Sequence, residues 1–110
     1  MDAEAAAALD ESAELLVKRF GGRLRDVRAV REGGSLVVMV VVDDLAEREE
    51  HRLYNVAAGL SRRHGVTVFF APYSTHDFAR RRPLPFEVYM MEEGESALAG
   101  GTDSNEEGEA

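Results

Sequence analysis

The run Leu36-Val37-Val38-Met39-Val40-Val41-Val42 constrains this chain more than any other stretch. Seven apolar residues in a row, five of them valine, favour an extended strand. With no polar residue to turn toward water, such a strand needs cover on both faces, so it belongs at the centre of a sheet that carries helices. A chain of 110 residues has length for one core of this kind and no second one.

The flanking segments supply the cover. Over 3–20, Leu9, Ala13, Leu16, Val17 and Phe20 recur at three- and four-residue steps and draw one apolar helical stripe, which Gly21-Gly22 stops. Residues 24–31 alternate loosely, with Val27 and Ala29 among Arg23, Arg25, Arg28 and Arg31, as in a partly exposed strand whose charges discourage edge pairing. Glu32-Gly33-Gly34 is then a turn into the central strand. After it, Asp44 with Glu47 resembles a capping box for a helix of about 20 residues that buries Leu53, Val56, Ala57 and Leu60 and closes at Gly65. A short strand over 66–71 follows, ended by Pro72. Ser74 with Asp77 caps a brief helix that carries Phe78 inward, and Pro83 and Pro85 open a last helix with Phe86, Tyr89, Met90 and Glu93 on one face and Gly94 at its end. The expected fold is α/β (α+β), a small mixed sheet of about three strands covered by helices, and the unit over 36–71 is a right-handed crossover if its strands are parallel.

Charge divides the chain unevenly. The formal charge is −8, yet all thirteen Lys and Arg lie within 1–82 together with thirteen acids, so that body is neutral. The other eight acids, Glu87, Glu92, Glu93, Glu95, Asp103, Glu106, Glu107 and Glu109, meet no base. A neutral body argues against nucleic acid as a partner. Residues 1–98 are read as one domain and 99–110 as a disordered acidic tail, since the tail has almost nothing to bury. No apolar run reaches the roughly 18 residues of a membrane helix, and the acidic start lacks the pattern of a secretory leader, so a cytoplasmic location is expected without membrane attachment. The lack of Cys removes thiolate chemistry and disulfides.

Few side chains group into chemistry. His51 and His64 lie thirteen positions apart on one helix and face nearly opposite ways, and His76 stands alone, so no histidine metal set forms. Asp43-Asp44 offers hard oxygen ligands, but neighbours at a strand end point apart. Arg62-Arg63-His64 falls in the last turn of a helix, where cations complement the dipole, and Arg80-Arg81-Arg82 precedes a proline-rich helix start, so neither is read as a phosphate grip. Ser35, Ser61 and Ser74 lack a nucleophile motif, and Gly33-Gly34-Ser35 lacks the lysine and following helix of a phosphate loop. No catalytic residue, metal ligand or cofactor is assigned, and which residues bind a ligand is left open.

The order of segments nevertheless resembles a family. Residues 37–42 followed by Asp43-Asp44, then Ala46-Glu47-Arg48-Glu49-Glu50, the stretch 53–60, Arg63-His64-Gly65-Val66, Ala71-Pro72-Tyr73-Ser74, Phe78, Pro83-Leu84 and Met91-Glu92-Glu93-Gly94 look like the prokaryotic minimal nucleotidyltransferases over roughly 24–98. In that family a Gly-Ser loop with a short helix precedes two aspartates one residue apart, often joined by a third acid on the next strand. These hold two magnesium ions at the triphosphate. Aligned on Asp43-Asp44, this chain has Ser35 and Val37 in place of the paired aspartates, Thr67 near the third acid, and Glu32-Gly33-Gly34 in place of the loop. The resemblance therefore implies a truncated, catalytically inactive core. It implies as partner a HEPN-domain toxin met in an antitoxin-like role, or a homodimer formed over sheet surface that the missing helix leaves bare. Its alternatives are a regulatory domain that binds a nucleotide or phosphate without turnover, and a residual nucleotidyltransferase using Asp43 and Asp44.

Overall fold

A computed structural model describes residues 2–80 and 85–98. The elements run α1 (Ala3–Phe20), a 3-10 turn (Gly21–Arg23), β1 (Leu24–Glu32), β2 (Ser35–Val42), α2 (Glu47–His64), β3 (Thr67–Ser74), α3 (Thr75–Arg80), α4 (Pro85–Glu93) and β4 (Glu95–Ser96). The fold is α+β, as expected, but its sheet has four strands, in the order β3-β2-β1-β4. β1 and β2 form an antiparallel hairpin closed at Glu32 and Ser35, and Gly33 takes the positive φ that its two-residue turn requires. β2 and β3 are parallel, joined through α2.

β2 separates two layers. Leu36, Val38, Val40 and Val42 face α1 and α2 in the larger core with Leu9, Leu16, Phe20, Leu53, Ala57 and Leu60. Met39 and Val41 face the other way and meet Met90 of α4, with Val30, Tyr73 and Phe78 packed around them. Asp2 starts α1 by accepting the Ala5 N–H at 2.9 Å, which satisfies one of the free donors of the first turn.

Several boundaries differ from the sequence reading, each for a local reason. Asp44 does not cap α2. It stands in the turn after β2 with φ +54°, and the helix begins beyond it, where the Glu49 carboxylate accepts the Ala46 N–H at 2.9 Å. Pro72 does not end β3, which continues to Ser74. β3 is an outer strand, and a missing N–H on its open side costs the ladder nothing. β1 is not an edge along its whole length, because β4 pairs with Arg28 and Ala29. That fourth strand forms because Gly94 ends α4 against β1: a Cβ there would lie 2.3 Å from the Met90 carbonyl oxygen and 3.3 Å from Cβ of Arg28. On α4 Met90 is buried, whereas Tyr89 and Glu93 are exposed rather than sharing its face. Ser74 caps α3 as expected, accepting the Asp77 N–H at 3.1 Å. Pro83, Arg81, Arg82, the side chains of Arg80 and Phe86, and the tail 99–110 lie outside the described residues. Among those described, no helix is long and apolar enough to cross a membrane.

Candidate functional site

The head of β2 is where the resemblance sets the acids of a transferase. The pairing there is fixed by register: Ser35 lies between Glu32 and Thr67, and Val37 between Val30 and Phe69. Side chains two apart on a strand share a face, so Ser35, Val37, Met39 and Val41 look away from α1 and α2. The first row holds one carboxylate, Glu32, and it accepts the Tyr89 hydroxyl at 2.9 Å. That bond to an anion raises the phenol's pKa above its ordinary value. The second row, Val30, Val37 and Phe69, is wholly apolar, and Phe69 is 54% exposed. Among the described residues no group of three or more His, Asp or Glu is placed to hold a metal ion. Val88, Tyr89 and Met91 of α4 add further exposed apolar surface.

At the opposite end of β2 one acid of the pair, Asp43, is occupied. Asp43 accepts from Arg25 Nε at 2.6 Å, and this guanidinium holds its carboxyl below the usual range. Arg23 donates to the carbonyl oxygens of Asp43 at 3.1 Å and Asp44 at 2.9 Å, and grips both oxygens of Glu49 at 2.9 Å. A bidentate guanidinium-carboxylate pair is a strong, oriented contact. It lowers the Glu49 pKa to about 2 and fastens the β2–α2 loop to the start of β1. The sequence reading missed this clamp. Its only trace was Glu49, which sits where the N3 residue of a capping box belongs once Ala46 is taken as the cap.

The remaining candidates are dispersed. His51 is exposed on α2, with Glu47 at 3.9 Å. His64, at the end of that helix, meets Glu11 of α1 at 2.6 Å, and Arg63 joins the same carboxylate at 2.6 Å. Those two contacts, Arg63 foremost, lower the Glu11 pKa, and they tie the end of α2 to α1. Ser61 accepts the Val68 N–H at 2.8 Å and donates to the Ala57 carbonyl, so its hydroxyl couples α2 to β3. His76 is exposed on α3. The structure brings Ser35, Val37 and Thr67 together and leaves the histidines apart.

Comparison with family models, with curated proteins and with solved structures returns no match.

Proposed function

We propose that this chain is a catalytically inactive, nucleotidyltransferase-like module that works in the cytoplasm by docking to another protein, in an antitoxin-like role. The observation that carries the reading is the row Val30, Val37 and Phe69. Of the strand positions where the resemblance calls for ligands of divalent ions, Val37 is apolar and Ser35 and Thr67 carry only hydroxyls, and beside Val37 the Phe69 ring is open to water. Carboxylates bind magnesium and a valine cannot. Exposed apolar surface gains on being covered, by about 1.5–3 kcal/mol for a fully buried phenylalanine. The partner that the resemblance implies is a HEPN-domain toxin, with a second copy of this chain as the other occupant. Residual transfer through Asp43 and Asp44 finds no support in a carboxylate already bound by Arg25.

The test is a light-scattering mass for the chain alone and mixed with HEPN-domain proteins of the same host, in wild type and Phe69→Asp. A complex that disappears in the variant, while its circular dichroism and unfolding midpoint stay unchanged, supports the reading. No complex and a monomeric mass at every concentration would sink it. Transfer of label from radioactive ATP to the partner would overturn the inactive assignment separately.

A further inference from the structure

Across the sheet from Phe69, the outer seam between α1 and α2 opens into a groove of about 330 Å³, floored by Leu15 and Val56 and walled by Arg19, Arg52, Asn55, Gly59 and Arg63. Helical spacing makes the wall: positions 52, 55, 56, 59 and 63 fall on one side of α2, and 15 and 19 one turn apart on α1. Arginines of β1 and the turn before it are each matched by an acid, Arg23 by Glu49, Arg25 by Asp43, Arg28 by Asp26 and Arg31 by Asp2. Arg19, Arg52 and Arg62 have no carboxylate partner among the described residues. Arg63 gives Nε and Nη2 to Glu11 and keeps Nη1 for the groove.

Two of these cations, Arg62 and Arg63, reach back to Gly59. A methyl group there would lie 3.4 Å from Arg63 Nη1 and 4.0 Å from Arg62 Nη2, and no other element comes within 4 Å of it. Side chains on a helix lean toward its N-terminus, which carries those at 62 and 63 back over position 59. Glycine is a poor residue for a helix interior, and here no crowding from a neighbouring element calls for it. What it preserves is bare space between guanidinium heads.

We infer that this groove binds an oligophosphate anion, held by Arg19, Arg52 and Arg63 of its wall, with Arg62 adding charge beside Gly59. Guanidinium forks match phosphoryl oxygens two at a time, and several in one groove concentrate a multiply charged anion that a lone carboxylate would not balance. The groove holds no aromatic ring to stack a base, so the phosphate chain itself is what is recognised. The inference stands apart from the docking surface, which lies on the other face of the sheet.

Inorganic triphosphate, ATP and sulfate are titrated into the full chain at low salt, with the thermal midpoint and calorimetric affinity as readouts. Triphosphate is expected to raise the midpoint in a saturable way, by mass action on the folded state. Arg52→Ala is expected to weaken binding by at least about tenfold, the size of one charge-assisted contact, while Arg48→Ala, outside the groove, leaves it unchanged. Gly59→Ala separates site from fold: it raises the midpoint of the free protein through better helix propensity and weakens triphosphate binding. Equal shifts with triphosphate and ATP support recognition of the phosphate chain, and a shift with ATP alone overturns it. No shift at millimolar triphosphate, an equal shift with sulfate, or Arg52→Ala and Arg48→Ala binding alike also overturn it.

Discussion

The two faces of one strand meet very different cover. On one side of β2, Leu36, Val38, Val40 and Val42 are sealed beneath two helices of 18 residues each. On the other, Met39 and Val41 share a small cluster with Met90, and the row beyond it runs out to an open Phe69. From Leu36 to Val42 the strand is apolar on both sides, so the difference there comes from the helices: long amphipathic ones over the first face, α3 and α4 of six and nine residues over the second. The first face holds the chain together, and the second is covered less fully by the described residues.

The largest test of that contrast is a pair of truncations. Leu60→Ala, in the sealed layer, is expected to cost about 2–5 kcal/mol in urea unfolding, because it leaves a cavity that packed neighbours cannot fill. Val30→Ala, on the half-covered face, should cost less than half as much. Equal losses would break the comparison.

Gly94→Ala probes how the second face is closed. The added methyl meets the Met90 carbonyl and Arg28, so α4 or β4 must shift, at an expected cost of about 1–3 kcal/mol. Hydrogen exchange should quicken at Ala97, whose N–H is bonded to the Val27 carbonyl at 2.8 Å, while amides of α2 keep their protection.

A smaller effect depends on pH. Arg23 holds Glu49 at about 2, below its ordinary 4.5, so ionised Glu49 favours the folded state above about pH 4.5 and that contribution fades as the pH falls toward 2. The difference in unfolding midpoint between wild type and Glu49→Gln is therefore expected to be largest near neutrality and to close across this window. A gap that stays constant with pH would show that the clamp acts by shape rather than charge.

The sequence made the sealed face legible and the other one much less so. The stripe from Leu9 to Phe20, the unbroken run to Val42 and the face of Leu53, Ala57 and Leu60 are periodic, and periodicity is local information. Asp44 looked like a cap because residue type alone does not reveal a positive φ; the turn took that aspartate, and Glu49 took the reciprocal role expected of Glu47 by accepting the Ala46 N–H. β4 carries no strand pattern in Glu95-Ser96, since it exists through Gly94 and the open side of β1. The apolar stretch 66–71 gave a strand but could not tell that Phe70 would be covered and Phe69 not. Likewise Arg52 and Arg63 share a groove with Arg19 only because α1 and α2 pack side by side, which no motif in either helix encodes.

Pro72 in the outer strand has a consequence for how such molecules can assemble. A neighbour trying to add its own strand along that border would meet a ring carbon where it needs a donor, so growth into an open-ended ribbon is disfavoured.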